Sequence, residues 1–112
     1  MEINVRSAEN VKILELAGRF DTYTADTARQ SIEQAMAEEP ANIVVNLEKV
    51  DFVDSTALAT LVHGLKRSRE LQGDLRLCHL QQSVRMVFEL TRLDRFFEIF
   101  AREDEAIQAF AR

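Results

Sequence analysis

Residues 42–47 read Asn-Ile-Val-Val-Asn-Leu, a largely β-branched run with no apolar–polar alternation. A strand with one wet face alternates, so a run without alternation suggests a strand buried on both faces. The segments around it switch between two periods. Ile3 and Val5, then Val11 and Ile13, suggest two short strands joined through residues 7–10, the second continuing to Ala17 until Gly18 breaks it. Residues 22–39 carry Ala28, Ile32, Ala35 and Met36 on one helical face, and that helix must end before Pro40. A second helix starts near Ser55, with Leu58, Leu61, Val62 and Leu65 at helical spacing and Gly73 as its stop. Residues 74–80 read as a strand, and 83–91 as a short helix with Val84, Val87 and Phe88 inward. Residues 96–100 form a possible edge strand, and 103–111 a closing helix whose acids come first and whose Arg112 comes last. The order ββαβαβα(β)α argues for an α/β fold, with right-handed crossovers between parallel strands. The 112 residues fit one domain, 1–112.

Charge and composition narrow the function. A net charge of −5 argues against nucleic acid, which needs a concentrated basic face. The one basic cluster, Lys66, Arg67 and Arg69, falls late in a helix, where cations complement the dipole. No apolar run approaches membrane-spanning length, and the first ten residues lack the basic start and apolar core of a signal peptide. No membrane insertion is expected. Cys78 is alone, in an alternating apolar stretch, and reads as a buried, reduced thiol consistent with a cytoplasmic location. Three scattered glycines form no phosphate-cradling loop, and His and Cys are not clustered as metal ligands. No cofactor is expected. His63 lies two helical turns beyond Ser55, and no Gly-x-Ser-x-Gly elbow occurs, so a Ser–His–Asp triad from Ser55, His63 or His79 and Asp21 fares badly.

One junction stands out. In VDFVDSTALATLV, residues 50–62, an apolar approach meets Asp54, Ser55 and Thr56, and a helix pattern begins at once. Asp54 or Ser55 is expected to cap the helix. Capping alone does not explain three consecutive polar side chains. The alternative is that Ser55 accepts a phosphoryl group, whose added charge beside Asp54 would repel a partner packed on the free hydroxyl. Gly18 to Asp21 also lies between a strand and a helix, so both turns are expected at one end of the sheet, bringing Asp21 near Ser55.

The stretch VVNLEKVDFVDSTALATLVHGLKRSRELQGDLRL resembles the centre of the STAS domain of bacterial anti-sigma factor antagonists. That family shows a strand ending in (D/N)L, a short loop, an apolar-Asp-Ser-(Ser/Thr/Ala)-Gly-Leu-Gly turn, a helix, then a glycine and a strand. LAGRFDTYTAD and VFELTRLDRFFEIF resemble its earlier and later segments, so the likeness runs from about residue 10 to 110. The resemblance implies a single STAS domain, with a mixed sheet of four to five strands packed with about four helices. It implies a non-enzymatic partner-switching protein. Its partners would be an anti-sigma factor that is also a serine kinase of the histidine-kinase-like ATPase type, and a PP2C-type phosphatase that reverses the modification. Ser55 matches the phosphorylated serine, while Asp21, Asp54 and Thr56 match positions on the contact surface. A constitutive STAS scaffold or accessory subunit of a signalling or lipid-transport assembly is the alternative. The family's Gly-Leu-Gly is Ala57-Leu58-Ala59 here, and its later glycine is Arg92.

Overall fold

The computed structural model describes residues 1–111, and the expected closing Arg112 lies outside them. Five strands form one mixed sheet in the order β1-β2-β3-β4-β5. β1 (Glu2–Ala8) and β2 (Val11–Ala17) make an antiparallel hairpin around Glu9 and Asn10. β3 (Asn42–Lys49), β4 (Asp74–Cys78) and β5 (Ile99–Phe100) continue in parallel from β2. The helices are α1 (Ala25–Ala35), α2 (Ser55–Glu70), α3 (Gln82–Leu90) and α4 (Glu103–Gln108). This is the α/β class that the sequence pattern indicates.

The run 42–47 is buried throughout, as its lack of alternation requires. Ile43, Val45 and Leu47 join the larger core, which takes Ile32 from α1, Leu61 from α2 and Phe88 from α3. Val44 points the other way, into a smaller core with Val11, Ile13, Cys78 and Ala106 of α4. Each fully buried Leu, Ile or Phe contributes about 1.5–3 kcal/mol. An exposed pair such as Arg29–Asp26 contributes about 0–1 kcal/mol, so the two cores decide the fold. α4 is pinned to its face by polar groups: Arg6 donates to both Glu103 carboxylate oxygens at 3.1 and 2.7 Å, and Asn46 Nδ2 donates to Oε1 at 3.0 Å. The Glu103 amide donates to His79 Nε2 at 3.1 Å, which gives this histidine a structural role. The hydrogen bond from Arg6, against the cost of burial, holds the Glu103 carboxyl below the usual carboxylate range.

Several boundaries differ from the sequence reading. α1 spans 25–35 and not 22–39, because local side-chain bonds hold residues 21–24 in a turn. Thr24 Oγ1 accepts from the Asp21 amide at 2.9 Å, and Asp21 Oδ1 accepts from the Tyr23 amide at 3.0 Å. β4 stops at Cys78, where His79 turns to a φ of 57°. β5 keeps only two residues of the stretch 96–100, since Leu93–Arg95 closes a 3-10 turn just before it. At the end of α2 the left-handed residue is Gln72, with φ 67°, and not Gly73. The Gly73 amide bonds Ser68 O at 2.9 Å and the Gln72 amide bonds Arg69 O at 3.2 Å, a Schellman closure. Gly73 is needed for a different reason: a Cβ there would collide with the backbone of Ala41.

Candidate functional site

The loops leaving β2 and β3 meet beyond the carboxyl end of the sheet. Phe20 and Val53 form a parallel bridge, Phe20 N donates to Phe52 O at 3.0 Å, and Asp54 N donates to Phe20 O at 3.3 Å. Both Phe20 and Val53 are buried, so the joint has an apolar root. The two turns therefore share one end of the molecule, as expected.

Asp54 is the residue that fastens them. Its Oδ1 accepts from the Ala57 amide at 2.9 Å, which makes Asp54 and not Ser55 the cap of α2. Its Oδ2 accepts from the Thr22 amide at 3.0 Å and from Thr22 Oγ1 at 3.2 Å. Thr22 Oγ1 lies 3.1 Å from Thr56 Oγ1. The Ala57 amide bond foremost, then those from Thr22 and the Thr56 amide, hold the Asp54 carboxyl below its ordinary value. Both carboxylate oxygens are thus engaged in structure. Asp54 is a clamp, unsuited to act as a free base.

Ser55 is the first residue of α2 and is exposed. With Asp54 capping, its hydroxyl carries no capping duty. Thr56 is half-buried and tied to Thr22, which explains why three polar residues stand together: one caps, one is presented, one bridges to the other loop. Asp21 sits in that neighbouring loop, but its carboxylate turns into its own turn, accepting from the Tyr23 amide and, at 3.4 Å, from Arg19 Nε. Asp21 shapes the surface that Thr22 joins to Asp54.

Sequence reasoning missed three members of this surface. Thr22 is one: its pattern placed it at the start of a helix and revealed nothing of its cross-loop bond. Tyr23 is 93% exposed, and Phe52 is 38% exposed with the Arg19 guanidinium 3.9 Å above its ring. An exposed aromatic inside a turn has no periodicity to mark it. Alongside, Ser83 Oγ of α3 donates to Asp51 O at 3.2 Å, holding α3 against the same loop. No group of three or more His, Cys, Asp or Glu side chains suited to a metal ion occurs among the described residues. No described helix is long and apolar enough to cross a membrane.

Comparison with known proteins places the fold. The STAS domain family model matches residues 2–106. The chain belongs to the STAS family. Among curated relatives, the anti-sigma-B factor antagonist of Bacillus subtilis is 28% identical over 108 residues, covering 96% of this chain and 98% of that protein. The anti-sigma-B factor antagonist of Listeria monocytogenes is 31% identical over 105 residues, covering 94% and 91%. Among solved structures, the STAS domain protein of Planctomyces limnophilus superposes with a TM-score of 0.90 at 25% identity, covering 98% of each chain. The phosphorylated form of the Bacillus cell fate determinant SpoIIAA shares the fold, with a TM-score of 0.73 at 22% identity, covering 96% of this chain and 98% of that one. Ala57 and Ala59, where the resemblance leads one to expect glycines, lie inside α2, where each favours helix over glycine by about 1 kcal/mol. Arg92, the third such position, is left-handed, with φ 64°.

Proposed function

We propose that this protein is an anti-sigma factor antagonist in a partner switch, governed by phosphorylation of Ser55. Unmodified, it binds an anti-sigma factor that is also a serine kinase of the histidine-kinase-like ATPase type. Phosphorylated, it lets go, and a PP2C-type phosphatase restores binding. The protein contributes the surface and the acceptor; ATP and metal belong to its cytoplasmic partners. The observation that carries this reading is an exposed Ser55 hydroxyl, relieved of capping by Asp54, at the centre of a surface made from two clamped loops. The names of the curated relatives support the regulatory role, and SpoIIAA, solved in phosphorylated and unphosphorylated forms, supports a phosphate on this fold.

The switch acts through charge and bulk at the surface. The phosphoryl group adds about −1.5 to −2 charges beside a carboxylate that cannot move away. Asp54 already occupies the Ala57 amide, so the phosphate is turned toward the partner. Tyr23 and Phe52, exposed on the two joined loops, supply apolar contact area on the same end of the molecule, suited to a partner that must exclude water from the Ser55 hydroxyl. Intact-mass and peptide mass spectrometry of the protein isolated from its own host test the modification. One phosphoryl group, confined to Ser55 and removed by a PP2C-type phosphatase, is expected. Modification on Thr56 instead, or none under any growth condition, would contradict it.

A further inference from the structure

β1 lies at the edge of the sheet, paired with β2 alone through an unbroken register from Glu2–Ala17 to Ala8–Val11. Gly18 N donates to Lys49 O, so the even-numbered backbone groups of β2 face β3 and the odd-numbered ones face β1. In the register given, those odd residues meet Ala8, Arg6, Asn4 and Glu2. The alternation of an antiparallel ladder then turns the N–H and C=O groups of Ile3, Val5 and Ser7 outward. Natural edges are usually blunted by proline, a bulge, a very short strand or charged side chains, and β1 carries only Glu2 and Arg6, one of each sign. β1 has seven residues, no proline and no register shift against β2, whereas the opposite edge, β5, has two residues.

The sequence of this edge is complementary to itself. An antiparallel pairing of two β1 strands about a two-fold axis at Asn4 sets Glu2 opposite Arg6 of the second copy, and Ile3 opposite Val5 of the second copy. The outward groups of Ile3 and Val5 then form the hydrogen-bonded pairs, so ladder and side-chain register agree. Val5, 52% exposed on the face where Ile3 joins the larger core, would be covered by the second copy's Ile3. Arg6 is held on the other face by Glu103, in reach of a Glu2 arriving on that face. Moving the axis to Val5 loses both charge pairs, because Glu2 then meets Ala8 and Arg6 meets Asn4. We infer that the occupant of this edge is a second copy of this chain, joined β1 to β1 in a ten-stranded sheet centred on Asn4. This interface is separate from the Ser55 surface and does not rest on the partner-switch reading.

Sedimentation velocity over a concentration series tests it, with two variants that leave the β1–β2 ladder intact. Val5→Pro removes an outward N–H, and Glu2→Arg puts like charges opposite each other twice across the axis. The wild type is expected to shift from monomer to dimer as concentration rises. Glu2→Arg is expected to weaken dimerisation by about tenfold, and Val5→Pro to abolish it, with unchanged circular dichroism in both. A wild type that stays monomeric to millimolar concentration, or a dimer that survives both variants, would overturn the inference.

Discussion

Asp54 shows how one short side chain can do two structural jobs and leave its neighbour free for a third. Its two oxygens cap α2 and hold Thr22, so the serine that follows is presented by a fixed backbone. Thr22→Val removes the hydroxyl bonds to Asp54 and Thr56 and is expected to cost about 1 kcal/mol in urea unfolding. The same variant should slow Ser55 phosphorylation, with Thr22→Ser restoring it; equal rates in all three would deny Thr22 a positioning role. Acid stability carries the mark of Asp54 as well. Because its folded pKa is depressed, its contribution is fully present above the unfolded value of about 4 and is lost as pH falls through the lower folded value. Glu103, depressed mainly by Arg6, acts in the same direction. Urea midpoints should therefore drop below about pH 4, and Asp54→Asn should flatten that drop without altering the neutral plateau's slope.

Elements were legible where periodicity marked them and illegible where local bonds ended them. The burial of 42–47 on both faces and the inward stripe of α2 follow directly from residue spacing. The start of α1 does not, because Asp21 and Thr24 bond each other's turn and withhold residues 22–24 from a helix that their pattern favours. The reason for Gly73 was equally hidden, since it depends on Ala41, the residue just before β3. These details give opposite predictions for adjacent positions. Gln72→Gly relieves a left-handed backbone and should stabilise by about 1 kcal/mol. Gly73→Ala should destabilise by about 1–3 kcal/mol, because backbone has to move. Arg92→Gly, at the other left-handed turn, should also stabilise by about 1 kcal/mol. Thermal midpoints of the three variants check all of these; a stabilising Gly73→Ala would mean that the turn after α2 does not press against the Ala41 backbone.

Across the whole molecule, the core and the site are separable. The two cores lie on either face of the sheet, and the joined loops stand beyond its carboxyl end, rooted by Phe20 and Val53. Cys78 belongs wholly to the core; burial pushes its thiol up to about 12, which keeps it protonated at neutral pH. The position of the site was legible because Asp54-Ser55-Thr56 interrupts an apolar pattern, while its fastening to Thr22 required the fold. A charge added at exposed Ser55 leaves both cores untouched, so Ser55→Glu should keep the wild-type thermal midpoint while changing what the protein binds. The most direct measurement is affinity capture from the host's own lysate with Ser55→Ala and Ser55→Glu as paired baits, read by mass spectrometry. Retention of an ATPase-type serine kinase by the alanine bait and its loss from the glutamate bait is the predicted result. Retention of that kinase by both baits alike would contradict the switch.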